Sequence, residues 1–141
     1  MSSAPAPIAV GDAPAPRVVG PLSVADFVRY AGASGDFNPL HYDETIARAA
    51  GFESVFAQGM FSAGVLASFA ADWLGAAAVR RFRVRFLDVV WLGDTLTCTA
   101  TIERSYVHRG ERRVDLELTC TRQTGALAVR GAATFVVDTG A

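Results

Sequence analysis

The chain has 141 residues, 51% of them hydrophobic and 19% charged, a balance that suits one folded domain and excludes a disordered chain. Its thirteen basic residues are all Arg and, against fourteen acidic ones, leave a net charge of −1, which gives no electrostatic footprint for nucleic acid. The longest apolar stretch, Met60 to Leu74, is shorter than the ~20 residues a membrane span needs. No basic segment followed by an apolar run opens the chain as a secretory signal would, so the expected location is cytoplasmic.

Residues 1–16 are rich in Ala, Pro and Ser and read as a flexible or extended lead-in, with the domain proper over 17–141. Arg17 to Gly20 suits a short edge strand ended by Pro21. Ser23-Val24-Ala25-Asp26 follows the capping-box pattern, and Phe27, Val28, Tyr30 and Ala31 supply an apolar stripe for a helix over 24–33. A loop from Gly35 to Tyr42 follows, then a short helix over 44–50 capped by Asp43 and ended by Gly51. Met60 to Leu74 is apolar on almost every face, with only Ser62 and Ser68 polar before Asp72, and such a helix belongs inside a protein.

From Arg81 the hydrophobic period changes to two. Phe82, Val84 and Phe86 form one inward series, and Leu96, Cys98, Ala100 and Ile102 a second. Val114, Leu116, Leu118 and Cys120 form a third, and Leu127, Val129, Gly131, Ala133, Phe135 and Val137 a fourth. Strict alternation puts one face of each strand inside, and Gly93-Asp94, Arg109-Gly110 and Thr124-Gly125 mark the turns. Long antiparallel strands after a buried helix define the class as α+β, an antiparallel sheet wrapped around one apolar helix. Cys98 and Cys120 fall at inward positions and read as small buried hydrophobes, although neighbouring strands can also bring them together as a disulfide.

The chemistry concentrates in Gly35-Asp36-Phe37-Asn38-Pro39-Leu40-His41. Pro39 pushes Asn38 out of the helical region, so Asp36 and His41 sit on a turn and not on a helix face. Asn before Pro is a good turn-former whose amide bonds the surrounding backbone. Such a turn can bring a carboxylate and an imidazole to one point, where they share a water. That is equipment for adding water across a double bond or removing it. The same residues also suit a capped turn with a structural His, and the pattern alone leaves both readings open. Gln58-Gly59-Met60 precedes the apolar helix, so the Gly59 amide is free to bind a polarised carbonyl oxygen. Ser62, one turn later, can serve a ligand or bond back to its own helix.

Taken together, Gly35 to His41, Ala49-Ala50-Gly51 and Gln58-Gly59-Met60 resemble the hydratase-2 motif of the MaoC-like family. These are (R)-specific enoyl-CoA hydratases and (3R)-hydroxyacyl-thioester dehydratases with the hotdog fold. The resemblance implies that Asp36 and His41 hold and activate water, that the Gly59 amide is the oxyanion donor, and that Asn38 and Ser62 support them. It implies no cofactor beyond the coenzyme A or acyl carrier protein that bears the substrate. It also implies a homodimer, or a heterodimer with a second, non-catalytic hotdog subunit. One departure is Gln58, where many members have His.

Other candidates read more plainly. His108 suits a solvated hairpin turn, and two distant histidines make no usual metal ligand set. Arg81, Arg83 and Arg85 on one strand face, and Arg109, Arg112 and Arg113 around a turn, suit either a solvated sheet face or contact with phosphates or an acidic carrier protein. Trp73 and Trp91 suit the core or a subunit contact. A hotdog thioesterase is the competing enzyme, but those commonly carry a carboxylate on the central helix, and here Asp72 comes only at its far end. A non-catalytic, chain-binding subunit is the competing non-enzyme.

Overall fold

The alternating segments pair into a single antiparallel sheet in the computed structural model, which describes residues 7–137. Its strands are β1 (Arg17–Val19), β2 (Val79–Phe86), β3 (Leu96–His108), β4 (Glu111–Arg122) and β5 (Leu127–Val136), in the order β1-β3-β4-β5-β2. Three helices precede β2: α1 (Val24–Ser34), α2 (Glu44–Ala49) and α3 (Gly59–Leu74), with a 3-10 turn over Pro39–His41. The Ser23–Asp26 capping box starts α1, and Asp43 accepts from the Thr45 and Ile46 amides to start α2. The α+β class and the hotdog arrangement hold.

Helix α3 crosses the inner face of the sheet and touches β2, β3, β4 and β5. Leu66, Phe69 and Ala70 bury against Ile102, Leu116, Leu118, Val129 and Phe135. Gly131 occupies an inward position because a Cβ there would stand 3.1 Å from both Leu66 Cδ2 and Leu118 Cβ. Leu66 itself is 0% exposed. Replacing Leu66 by Ala is expected to lower unfolding free energy by about 2–5 kcal/mol in urea titration, through lost transfer energy and a residual cavity.

Several local expectations change. The apolar helix is buried on one face only: Ser62, Ala63, Leu66, Phe69 and Ala70 are covered, while Met60 is 60% exposed and Ser68 is open to solvent. One sheet covers one side of a helix, so a single chain leaves the other side bare. Phe86 stands half exposed because β2 is the sheet's edge and its last residue overhangs the core. Strand β2 begins at Val79, and a bulge there turns Arg80 toward Glu111, which it binds at 2.8 Å. A second bulge after Ile102 ends the inward series of β3, whose hairpin with β4 runs on into solvent.

Cys98 and Cys120 lie directly opposite each other in the β3–β4 register, buried and free. The second half of the Ala/Pro-rich lead-in lies along the sheet. Gly11 and Asp12 exchange backbone hydrogen bonds with Ile102 at 2.8 and 3.0 Å, and Ile8 packs on the core. These contacts begin upstream of Arg17, because Ile8 gives the lead-in an apolar residue to dock; residues 1–6 of that segment lie outside the described residues.

Candidate active site

The Gly35–His41 stretch folds as a tightly hydrogen-bonded turn between α1 and α2. Gly35 ends α1 in the left-handed region at φ 77°, a conformation that glycine adopts without strain. The Ser34 hydroxyl donates to the Tyr30 carbonyl at 2.8 Å and accepts from the Asp36 amide at 3.1 Å. Asp36 Oδ1 accepts from the Asn38 amide at 3.3 Å, and Asn38 Oδ1 from the Leu40 amide at 3.1 Å. Asn38 is extended, as the following proline demands, and Pro39 opens the 3-10 turn that delivers His41. The Tyr42 hydroxyl closes the loop on the Phe37 carbonyl at 2.7 Å.

His41 is buried, 7% exposed, and its Nδ1 lies 2.8 Å from the carbonyl oxygen of Phe56. A carbonyl only accepts, so Nδ1 carries the proton and Nε2 presents its lone pair. That Nε2 faces Asp36 Oδ2 at 3.7 Å, too far for a direct hydrogen bond. The Asp36 side chain is 46% exposed, so the pair opens to solvent from its carboxylate side. Behind the imidazole stands an aromatic wall. The Phe56 ring meets the His41 ring edge-on at 5.0 Å and the Trp91 ring at 5.9 Å, and the Phe52 ring leans on Phe56 at 4.6 Å, tilted by 45°.

Three residues after Phe56 the chain enters α3. Gly59 is the first helical residue, so its amide has no acceptor within the helix. Three residues of extended chain reach at most roughly 10 Å, which keeps this amide close to the carbonyl that holds His41. The Phe86 ring lies over Gly59, 3.5 Å from where a Cβ would stand. Ser62 follows one turn on, 2% exposed. Gln58 is 1% exposed; its Nε2 donates to the Phe27 carbonyl at 3.0 Å and ties α1 to the start of α3, while its Oε1 is buried without a partner among the described residues.

The structure therefore brings Asp36 and His41 together, with Asn38 engaged in the turn, and chain length keeps Gly59 within roughly 10 Å of Phe56. Ser34, Tyr42 and Phe56 act here too, and nothing in the spacing of the sequence marked them. His108 lies in the exposed β3–β4 hairpin. Arg112 reaches the Ile8 carbonyl at 2.7 Å and Arg113 pairs with Glu111 at 2.7 Å, so two of the three arginines at that hairpin serve the fold. Asp72, the only carboxylate on α3, pairs with Arg17 at 2.8 Å. Among the described residues no group of three His, Cys, Asp or Glu side chains is placed to hold a metal ion, and no helix is long and apolar enough to cross a membrane.

Residues 6–124 match the family described as MaoC like domain. The chain belongs to the MaoC-like family. Its relatives include an (R)-specific enoyl-CoA hydratase of Rhodospirillum rubrum, 33% identical over 119 residues that cover 82% of this chain and 80% of that one. A 3-hydroxyacyl-thioester dehydratase X of Mycobacterium tuberculosis is 38% identical over 106 residues, covering 74% of this chain and 34% of that protein. An (R)-hydratase of A. caviae superposes with a TM-score of 0.79 at 27% identity, over 93% of this chain and 97% of the other. This MaoC-like chain is thus an enzyme of the hydratase–dehydratase class.

Proposed function

We propose that this MaoC-like enzyme interconverts trans-2-enoyl and (3R)-3-hydroxyacyl thioesters, with Asp36 and His41 activating the water. The observation that carries the reading is the His41 tether: Nδ1–H bound to Phe56 leaves the Nε2 lone pair aimed at Asp36 across 3.7 Å. A gap of that size suits one water donating one hydrogen to Nε2 and the other to the carboxylate. As the water oxygen bonds to C3, Nε2 takes its proton and the double-bond electrons move onto the thioester oxygen. The Gly59 amide at the positive end of α3 stabilises that oxygen. The imidazolium then returns the proton to C2, so one O–H bond breaks while C3–O and C2–H bonds form. General acid–base groups of this kind contribute roughly 10²–10⁴-fold.

The acyl chain has a place to go. A pocket of about 330 Å³ opens beside the uncovered face of α3, lined by Ala67, Ala71, Val79, Phe82 and Phe135 among others. Ala67 lies eight residues along from Gly59, roughly 12 Å at the helical rise, about the reach of a medium-length chain. The bare side of α3 and the free edge of β2 call for a second hotdog subunit, identical or different.

The test is an absorbance assay. Purified protein is expected to bleach the enoyl band of crotonyl-coenzyme A or a longer homologue and to yield the 3R product on chiral analysis. Enoyl chains of increasing length on coenzyme A, and the same chains on a carrier protein, identify the preferred substrate. An unchanged band across the whole series, with and without added hotdog partners, would sink the proposal, and release of free thiol would point to a thioesterase.

A further inference from the structure

The strand-free segment from Val90 to Asp94 forms the outer rail of the aromatic wall, and a buried carboxylate holds it. Asp94 is 3% exposed, and both its oxygens are used. Oδ2 accepts from the Trp91 amide at 2.8 Å and from Arg122 Nε at 2.7 Å; Oδ1 accepts from Gln123 Nε2 at 2.7 Å and from Arg122 Nη2 at 3.3 Å. The backbone closes the same turn, with the Asp94 amide on the Trp91 carbonyl at 3.1 Å, and staples it to Leu22 on both sides at 2.9 Å. Burial opposes the charge on Asp94, yet Arg122, Gln123 and the Trp91 amide together hold its carboxyl below the usual carboxylate range.

Two backbone rungs lead from this rail to the segment that carries Phe56. The Ala57 amide donates to the Val90 carbonyl at 2.8 Å and the Leu92 amide to the Val55 carbonyl at 3.3 Å, which sets Phe56 opposite Trp91. The Phe56 carbonyl in turn holds His41 Nδ1 at 2.8 Å. The rings repeat the path, Trp91 on Phe56 and Phe56 on His41.

We infer that Asp94 is a positioning residue, which fixes the tautomer and the direction of the His41 ring through Trp91 and Phe56. This rests on the reading of His41 as the group that takes the proton. Stability alone is a weak reason for a buried Asp–Arg pair, because apolar residues of similar volume often serve as well. What a carboxylate supplies here, and an apolar side chain cannot, is an acceptor for the Trp91 amide. When the Phe56 carbonyl shifts, the tether that keeps the proton on Nδ1 loosens. A ring with its proton on Nε2 offers no lone pair to the water.

The chain has two histidines, one buried and one in an exposed hairpin, so a single slowly exchanging ring N–H signal is expected from protein labelled with ¹⁵N-histidine. Asp94→Ala is expected to shift or broaden that signal and to lower kcat roughly 10- to 100-fold with KM nearly unchanged, the cost of a small misplacement relayed from a distance. Leu66→Ala, destabilised elsewhere in the core, is the control and should leave signal and kcat in place. Should Asp94→Ala not fold, Asp94→Asn carries the test. Both Asp94 oxygens accept two hydrogen bonds, so in either orientation the new amide nitrogen faces donors, while Arg122 keeps Asp88 at 2.9 Å. Either variant, folded, with wild-type kcat and an unmoved ring signal overturns the inference. Full turnover in His41→Gln would instead remove the reading of His41 as base and leave the relay measured by the ring signal intact.

Discussion

Asp36→Asn and His41→Gln are each expected to remove nearly all turnover of a crotonyl thioester, at least 10²-fold and up to about 10⁴-fold. The double variant should fall little further. Both effects follow from the one shared water: once either group stops accepting its hydrogen, the water is neither oriented nor deprotonated, and the remaining group has nothing left to act on. Residues that work as a unit lose their activity together, so the free energies of the single changes do not add. The substitutions are chosen to spare the fold. Asp36 is half exposed and keeps an acceptor for the Asn38 amide as Asn. Gln at position 41 can still donate to the Phe56 carbonyl, which leaves the wall behind it occupied. Steady-state hydration rates measured beside thermal melting separate the two effects. Additive losses, or a single variant with more than a tenth of wild-type kcat, would contradict a jointly held water.

How much of this was legible in the residue order depends on the reach of each interaction. The turn that brings Asp36 and His41 together is written locally, in Gly35, Asn38 and Pro39, and so are the Ser23–Asp26 capping box and the period-two strands. What the sequence hid is what backbone atoms and distant partners do. The Phe56 carbonyl decides which nitrogen of His41 holds the proton, yet a carbonyl leaves no mark on side-chain pattern and lies fifteen residues away. Gly93-Asp94 looked like an ordinary turn, because Arg122 and Gln123 come 28 and 29 residues later. Phe86 obeyed the inward alternation and still stands in solvent, since alternation reports the face of a strand and not whether anything covers its end. The same limit applies to α3: composition shows that all its faces are apolar, but only the sheet's width shows which of them one chain can bury.

Gly59→Pro should lower kcat by roughly 10²–10³-fold while leaving the melting temperature close to that of the wild type. Proline deletes the one N–H proposed to hold the thioester oxygen. At most positions in a helix that deletion costs ~3 kcal/mol of stability, but the first helical residue is where proline is favoured, because its amide has no acceptor within the helix. The preceding residue already complies: Gln58 sits at φ −56° and ψ 138°, in the extended region that a following proline requires. The Cβ that either substitution, to Pro or to Ala, adds would meet the Phe86 ring at an ordinary 3.5 Å. Gly59→Ala is the matched control. It keeps the amide and adds the same Cβ against the ring, so its loss measures the crowding by that atom. A proline variant that folds and turns over as fast as the alanine variant would move the oxyanion contact elsewhere, with the Met60 amide and the Ser62 hydroxyl next in line on the same turn of α3. A proline variant that loses kcat and keeps binding a saturated acyl thioester would assign the amide to the transition state and not to the ground state, which is the distinction a rate-enhancing contact must satisfy.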